Sequence, residues 1–201
     1  MIDTVVLATR NAGKRAELAA ILESAAGRPV SVRDAAELDL PEVVETGVTF
    51  EENALLKARS AAAASGLPAI ADDSGLAVDV LGGAPGIFSA RWSGRHGDDA
   101  ANLRLLLDQL ADVPDEHRGA AFVCAAAFVD PDGTELVRLG RFAGALAREP
   151  RGAHGFGYDP IFVPAGDDRT AAELAPEEKN ARSHRARALS ALVAELPLQG
   201  S

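Results

Sequence analysis

The chain has 201 residues and a formal net charge of −10, and its 47% hydrophobic and 25% charged residues are ordinary values for a globular protein. The negative charge argues against nucleic acid or an anionic membrane as a partner, because either would require a broad basic surface. The single Cys124 excludes an internal disulfide, and the first apolar run, at 5–8, is too short for a signal peptide or a membrane-spanning helix. We therefore expect one cytoplasmic domain over residues 1–201.

The first half of the chain alternates short apolar runs with segments of helical periodicity. Thr49 and Glu52 have the spacing of a capping box and predict the start of a long helix. The elements predicted here are a strand at 4–8, a helix at 14–25, a strand at 29–32, an acidic irregular stretch at 34–47, a helix from 49 to 65, and strands at 67–71 and 76–80.

The second half contains two long strands around a turn with the sequence Asp130-Pro131-Asp132-Gly133, which predicts a hairpin. The elements predicted here are a glycine-rich loop at 82–86, a helix from 98 or 99 to 110, strands at 120–129 and 134–146, a glycine-rich loop at 152–157, a strand at 161–163, and a last helix capped by Ser183. Helices interspersed with short and long strands predict an α/β fold around a mixed parallel and antiparallel sheet.

Only three of the 20 basic residues are lysines: Lys14, Lys57 and Lys179. A composition that prefers arginine so strongly suggests that lysine is kept where a compact ammonium, and not a wide guanidinium, fits the site. Each lysine lies in a segment that could form part of a phosphate site. The alternative is that three lysines remain by chance on a solvated surface.

The first such segment is Thr9-Arg10-Asn11-Ala12-Gly13-Lys14. It lies between a predicted strand and a predicted helix, where backbone N–H groups, a glycine and a lysine suit phosphate oxygens. The spacing of a Walker A loop is absent, which argues against a kinase or a nucleotide switch. The alternative is an ordinary strand-to-helix turn.

Three acidic residues form the second candidate. Asp72 and Asp73 follow a predicted apolar strand, where a sheet edge commonly opens toward a ligand. Magnesium prefers a few carboxylates together with water and substrate phosphates, and Glu45 could supply the second ligand. The alternative is that one aspartate caps a turn through Ser74 while the other is solvated.

Two later segments could serve a nucleotide base. Phe156-Gly157-Tyr158-Asp159 places aromatic rings between glycines, and such a ring can stack on a base. For Tyr158 we favour core packing, and for Phe156 a ligand contact. Ser183-His184-Arg185 begins a helix, so its donors project from the positive end of the helix dipole, although surface placement is the alternative for the neighbouring arginines.

Together these segments resemble the family of inosine/xanthosine triphosphate pyrophosphatases, over about residues 4–189. The matching motifs are Thr9-x-Asn11-x-x-Lys14, Glu45-Thr46-Gly47-x-Thr49-Phe50-x-Glu52-Asn53-Ala54, Ala71-Asp72-Asp73-Ser74-Gly75-Leu76, Gly83-Ala84-Pro85-Gly86, Gly155-Phe156-Gly157-Tyr158-Asp159-Pro160, Glu178-Lys179 and Ser183-His184-Arg185. Arg10 departs from the pattern, because many relatives have glycine there.

The resemblance implies a long twisted sheet with two lobes around a deep cleft, in a homodimer that binds a small nucleotide. It implies that residues 9–14 and Lys57 hold the triphosphate, that Glu45 and Asp73 bind Mg²⁺, and that Asp73 also accepts the proton of the attacking water. Ser74 would contact substrate. The residues that the resemblance assigns to the nucleotide and base pocket are Phe156, Gly157, Tyr158, Asp159, Lys179, His184 and Arg185.

The implied reaction is hydrolysis of deaminated purine nucleoside triphosphates to the monophosphate and pyrophosphate. In a base pocket, Lys179 and Arg185 can only donate hydrogen bonds, which suits the 6-oxo group of inosine or xanthosine and disfavours the amino group of adenine. Two alternatives stay open at this point. One is a pyrophosphatase for other modified nucleotides, and the other is a non-catalytic nucleotide sensor, against which the three acids argue.

Overall fold

The computed structural model describes residues 2–198. In this part of the chain there are five α-helices and six β-strands. The helices are α1 (Ala12–Ala26), α2 (Phe50–Ser65), α3 (Asp99–Gln109), α4 (Pro176–Arg182) and α5 (His184–Val193). The strands are β1 (Thr4–Leu7), β2 (Ser31–Asp34), β3 (Ala69–Val78), β4 (Gly119–Val129), β5 (Glu135–Leu146) and β6 (Phe162–Pro164). No helix between residues 2 and 198 combines the length and the apolar character needed to cross a membrane.

The six strands form one sheet in the order β2-β1-β3-β4-β5-β6. β1 runs parallel to both β2 and β3, whereas β5 and β6 are antiparallel. The prediction of an α/β fold with a mixed sheet is therefore confirmed. The chain divides into two compact units, and β3, β4 and β5 each contribute residues to both. The single domain and the deep cleft stay predictions.

Unit 1 comprises residues 2–73, 124–140 and 185–198 of the described chain. β1 and residues 124–129 of β4 are apolar on both faces, and side chains that alternate along each strand enter two different cores. In β1, for example, Val5 and Leu7 belong to one core and Val6 belongs to the other. The first core packs against α1 and α5, and the second packs against the alanine-rich face of α2. Small alanine side chains allow that helix to approach the sheet closely.

Unit 2 comprises residues 74–123 and 141–184. Its core contains Leu106 of α3, Leu110 directly after that helix, and Phe142 and Leu146 of β5, together with buried residues of β3 and of the segment around β6. Arg118 is buried here, and its guanidinium donates to the carbonyl oxygens of Leu110, Leu146 and Ala147 at 2.7–2.9 Å. These three bonds satisfy the buried charge and fasten the end of α3 to the end of β5.

The largest difference from the sequence prediction concerns β3. We expected two strands separated by a turn at Asp72-Asp73-Ser74-Gly75, but the structure has one continuous strand of ten residues. Gly75 is packed so closely that a Cβ atom would collide with the Gly86 carbonyl and with Ser89, and Ser89 Oγ accepts the Leu76 N–H at 2.9 Å. These contacts, together with ion pairs to the two aspartates, override the turn preference of the four residues.

Smaller differences concern the ends of elements. α1 begins two residues earlier than predicted, at Ala12, because Asn11 caps it. β2 is shifted to Ser31–Asp34, and the helix α4, which directly precedes Ser183, was not predicted. Thr49 caps α2 through the Glu52 N–H at 3.1 Å, as predicted, and Asp98 is the residue that caps α3. Cys124 is fully buried, as expected for a small apolar side chain.

Candidate active site

The acids at the centre of unit 1 lie side by side on β3 and have different partners. Because successive side chains of a strand point to opposite faces, Asp72 points toward α1 and α5, and Asp73 points toward α2. Each meets basic residues of the helices on its own face. The continuity of β3 through this position therefore sorts two adjacent carboxylates into two separate environments.

Asp72 is a buried carboxylate bound by two cations. Its Oδ2 accepts a hydrogen bond from Lys14 Nζ at 2.7 Å, and its Oδ1 accepts one from Arg185 Nε at 3.2 Å. Arg185 also pairs with Glu17 and donates to the Lys14 carbonyl oxygen at 3.4 Å. Burial alone would raise the pKa of Asp72, but Lys14 and Arg185 outweigh it and lower that pKa to about 2. Asp72 is therefore ionised at neutral pH and holds Lys14 in place.

Asp73 is half-buried and shares one cation with Glu45. Lys57 Nζ donates to Glu45 Oε1 at 2.7 Å and to Asp73 Oδ1 at 3.1 Å. Asn53 Nδ2 donates to Asp73 Oδ2 at 3.3 Å, while Asn53 Oδ1 accepts from the Gly47 N–H at 2.8 Å. Burial raises the pKa of Asp73, Lys57 opposes this, and Glu45 adds to it, so the net shift is upward. A carboxylate with a raised pKa is better suited to accept a proton than its neighbour.

The predicted phosphate turn leads into α1. Asn11 caps the helix, and its Oδ1 accepts the N–H groups of Gly13 at 2.9 Å and Lys14 at 3.2 Å. Two of the amides that we expected to hold a phosphate are thus engaged by a side chain of the turn itself. Thr9 Oγ1 accepts the Asn11 N–H at 3.3 Å, and Arg10 donates to the Leu40 carbonyl at 3.2 Å, so the arginine side chain is tied to the neighbouring loop. The Lys14 ammonium, whose side chain is 35% exposed, is the group of this turn best placed to meet an anion.

The pair Glu45 and Asp73 fits a magnesium ion by its chemistry. Both carboxylates already converge on a single cationic atom, Lys57 Nζ. Between residues 2 and 198, no group of three or more His, Cys, Asp or Glu side chains forms a metal-binding set. Magnesium is commonly held by one or two carboxylates and completes its shell with water and substrate phosphates, so two ligands are a suitable set for it.

Unit 2 contains a pocket of about 180 Å³. The residues that line it are Ser74, Gly75, Leu76, Ser89, Ala90, Asp99, Phe122, Phe156, Gly157, Tyr158, Asp159, Lys179 and His184. Six predicted site residues are therefore brought together with Ser74, which follows Asp73 directly in the chain. Most of the lining is aromatic, aliphatic or glycine, as in a site for a flat organic group.

The glycine-rich loop of this pocket is held by a buried ion pair between Asp159 and Lys179. Asp159 accepts the Phe156 N–H at 2.9 Å and pairs with Lys179. Gly155 has a φ of 77°, and a Cβ atom there would collide with the Asp159 carboxylate, so glycine is required. Phe156 is 78% exposed, and Lys179 Nζ lies 5.1 Å from the centre of its ring. A largely exposed phenyl ring on a fixed loop is suited to stack on a base.

Two other aromatic residues of the pocket make contacts within the protein. Tyr158 is buried and donates from its hydroxyl to the Ser89 carbonyl at 2.9 Å, as we expected of a core residue. The His184 ring stacks on Phe122, with 5.2 Å between ring centres and 18° between planes. The Gly157 N–H donates to Asp99 Oδ2 at 2.9 Å, which fixes the far side of the loop.

Arg185 does not line this pocket. We expected its guanidinium to present donors to a base, but Nε, Nη1 and Nη2 all have acceptors in unit 1. The physical reason is that the buried charge of Asp72 attracts the nearest buried cation. A direct contact of Arg185 with a base would require it to leave these partners, and that role stays a prediction.

Sequence reasoning missed several residues of these sites. Asn53 and Glu17 in unit 1, and Ser89, Asp99 and Phe122 in unit 2, were given no role. Asn53 could have been found, because it lies four residues before Lys57 on an alanine-rich helix and thus shares the same helix face. The residues of unit 2 carry no comparable local signal, since only the tertiary fold brings them to the loop at 152–157.

These observations define an α/β protein with a paired charge cluster in one unit and an aromatic pocket in the other. Comparison with known proteins gives its family. The Ham1 family model matches residues 5–195, and the chain belongs to this family.

The chain is similar to curated and solved relatives over nearly its whole length. It is 63% identical to the dITP/XTP pyrophosphatase of Streptomyces avermitilis, over 94% of each chain, and 57% identical to that of Mycobacterium tuberculosis, over 98% of this chain and 96% of the relative. The crystal structure of a nucleoside-triphosphatase/dITP/XTP pyrophosphatase from Mycobacterium abscessus has 57% identity and a TM-score of 0.79, covering 96% of this chain and 99% of the other. A HAM1 protein from Coxiella burnetii has 44% identity and a TM-score of 0.88, covering 96% and 97%.

Proposed function

We propose that this protein hydrolyses dITP, ITP and XTP to the nucleoside monophosphate and pyrophosphate, with Mg²⁺ as its cofactor, and so keeps deaminated purines out of DNA and RNA. The observation that carries the proposal is the pocket of unit 2, with the exposed Phe156 ring beside Lys179 and a wall that begins at Ser74, next in the chain to Asp73. High identity to relatives named dITP/XTP pyrophosphatase supports it.

In this proposal the residues of unit 1 act on the triphosphate. Mg²⁺ held by Glu45 and Asp73 would offset negative charge on the phosphate oxygens. Lys14 keeps one hydrogen bond to Asp72 and has two further N–H groups to donate to phosphate. Asp73, whose pKa is raised by burial, accepts the proton of the water that attacks the α-phosphorus, and pyrophosphate leaves.

The residues of unit 2 act on the base. Phe156 stacks on the purine ring, and this interaction is largely the same for every purine. Lys179 can donate and cannot accept, so it matches the 6-oxo group of hypoxanthine or xanthine and leaves the amino group of adenine without a partner. The Asp159 carboxylate and the Phe156 ring hold Lys179 in position for this contact.

A panel of nucleoside triphosphates tests the proposal. We expect pyrophosphate release from ITP, dITP and XTP to be much faster than from ATP, GTP, CTP and UTP, and to stop when EDTA is added. Release of phosphate with the diphosphate, or an undiminished rate after chelation, would refute the mechanism. Preference for a modified pyrimidine would favour the alternative substrate class, and binding without turnover of any nucleotide would favour a sensor.

We also propose that the protein works as a homodimer in the cytoplasm, without nucleic acid or membrane as a partner. The family resemblance supports the dimer, and the net charge of −10 disfavours polyanionic partners. Light scattering on the purified protein should give twice the chain mass. A mass equal to one chain at micromolar concentration would contradict the dimer.

A further inference from the structure

Lys57 has a position in unit 1 that differs from that of Lys14. Its ammonium binds both Glu45 and Asp73, at 2.7 and 3.1 Å, and its side chain is only 17% exposed. Lys14 instead binds Asp72, which also has Arg185 as a partner, and its side chain is 35% exposed. The cation at the predicted metal ligands is thus a residue of the protein itself.

A divalent ion placed where the two carboxylates converge would need Glu45 Oε1 and Asp73 Oδ1, the two oxygens that Lys57 Nζ binds. Two carboxylates attract any cation placed between them, and an ammonium and Mg²⁺ cannot both occupy that point. The metal must therefore displace Lys57 before it can use both ligands. The displaced ammonium needs a new anionic partner. Its four-carbon side chain starts from the face of α2 that packs on the sheet, so the ammonium stays within a few ångströms of the two carboxylates.

Asn53 allows this exchange to occur without rebuilding the site. It lies one helical turn before Lys57, donates to Asp73 Oδ2 at 3.3 Å and accepts the Gly47 N–H at 2.8 Å. Asn53 therefore holds Asp73 and the loop after Glu45 in place whether or not Lys57 is bound to them. Asp73 therefore remains positioned for a cation when the lysine moves.

We propose that Lys57 competes with the divalent ion for Glu45 and Asp73, so that the metal binds tightly only when the triphosphate of a nucleotide takes over the Lys57 ammonium. This inference rests on the proposed function for the identity of the metal and the anion. It makes Lys57 a positioning residue that couples metal binding to nucleotide binding, and the coupling is reciprocal by thermodynamic necessity.

The test is a binding titration with Mn²⁺ followed by electron paramagnetic resonance, at pH 8 and without nucleotide. The proteins are wild type, Lys57→Met, Lys57→Gln and the matched control Lys14→Met, which also removes one lysine charge from unit 1. We expect Lys57→Met and Lys57→Gln to bind Mn²⁺ about tenfold more tightly than wild type, because a competing unit charge is gone. Lys14→Met should bind Mn²⁺ nearly as wild type does, since its partner Asp72 has a second cation.

An affinity of the Lys57 variants for Mn²⁺ equal to or weaker than that of wild type would overturn the inference. So would an equal gain in Lys14→Met, which would indicate a general charge effect.

A second experiment, on the wild-type protein, covers the case in which the Lys57 variants do not fold. Saturating Mn²⁺ should increase acetylation of Lys57 by acetic anhydride, measured by mass spectrometry, while Lys179 changes little. An unchanged acetylation of Lys57 would contradict displacement. Neither measurement uses a substrate, so failure of the proposed function would leave their outcomes readable.

Discussion

The two units differ in the polarity of their candidate sites, because charged side chains dominate one and apolar side chains the other. The cluster of unit 1 contains four acids and three cations, of which Asp72 and Arg185 are buried, and each has a partner of opposite charge. Its side chains are therefore held by ion pairs within the protein. The pocket of unit 2 is mostly apolar, has a single ion pair beneath it, and presents an exposed phenyl ring. A substitution in unit 1 should therefore change charge balance and catalysis, whereas one in unit 2 should change contact area and affinity.

The two aspartates of β3 make the comparison sharper, because they are neighbours on one strand and differ in partners and in burial. Asp72 has a pKa lowered to about 2 by two cations, and the charge is favourable in the folded protein. Asp73 has a raised pKa, so the folded protein holds its charge at a cost. Ionisable groups whose charge is unfavourable in the folded protein are often catalytic, and those whose charge is favourable are often structural.

The largest expected effect is that of Asp73→Asn on turnover. We expect kcat to fall on the order of 10³-fold, because the variant loses both a proton acceptor and a metal ligand. The unfolding free energy should stay the same or rise, since neutralising a carboxyl with a raised pKa removes an unfavourable charge. Steady-state kinetics and urea unfolding measure the two quantities, and a loss of activity matched by a loss of stability would contradict the assignment.

The next effect is that of Asp72→Asn on stability. Removing the acid takes the shared carboxylate from Lys14 and from the buried Arg185, which keeps only Glu17, and this should lower the unfolding free energy by about 3 kcal/mol. The activity of the molecules that remain folded should fall less than in Asp73→Asn. Equal losses of kcat in the two variants would show that their roles are divided wrongly.

Acid titration of wild type gives an independent measure of the same carboxylate. Because the pKa of Asp72 is lowered from 3.8 to about 2, the ionised Asp72 adds to the free energy of unfolding above pH 4, and this contribution is lost as the pH falls from about 4 to about 2. We expect this loss to be about 2 kcal/mol, and we expect it to be missing in Asp72→Asn. A parallel decline of both proteins over this range would contradict the pairing.

In unit 2, Phe156→Ala should weaken all purine nucleotides alike. Loss of the stacking surface should cost roughly 1–3 kcal/mol in kcat/KM for ITP and ATP, with the ratio of the two preserved. Tyr158→Phe is the control, because it removes only the buried hydroxyl that binds the Ser89 carbonyl and should act on stability by about 1 kcal/mol. A loss of kcat/KM for ITP without a loss for ATP would mean that Phe156 distinguishes the two bases by their edges.

Lys14→Arg tests whether unit 1 needs a compact cation. The charge is kept, but a planar guanidinium cannot replace an ammonium that binds Asp72 at 2.7 Å and still reach a phosphate. We expect kcat/KM to fall about tenfold, equivalent to about 1.4 kcal/mol. Kinetics like those of wild type would remove the argument from lysine usage.

The smallest effect should be that of Arg185→Ala on substrate preference. Its partners are Asp72, Glu17 and the Lys14 carbonyl, so the variant should lose activity toward ITP and ATP in equal proportion. The measurement is the ratio of kcat/KM for the two nucleotides. A narrower gap between them would return Arg185 to the base pocket, as the sequence alone had suggested.

Much of this protein could be predicted from its sequence because the relevant signals are local. The Thr49 cap of α2, the turn at 130–133 and the burial of Tyr158 depend on neighbouring residues and on apolar periodicity, and the structure confirms them. Of the predicted capping box, the Glu52 carboxylate accepts the Val48 N–H and not that of Thr49. The three lysines also stood out by residue type, and Asp72 and Asp73 by their position after an apolar strand, whereas Glu45 was predicted only as a second magnesium ligand. The division of roles among the lysines could not be predicted, since it depends on which face of β3 each helix covers.

The tertiary structure decided the partners of the charges. The sequence Asp72-Asp73-Ser74-Gly75 has the composition of a turn, yet contacts from α1, α2 and α5 keep it in a strand. Strand alternation then sends one carboxylate to Lys14 and Arg185 and the other to Lys57. Local composition determines which groups are available, and long-range packing determines which of them meet, because a buried charge takes the partner that the fold brings within hydrogen-bond distance.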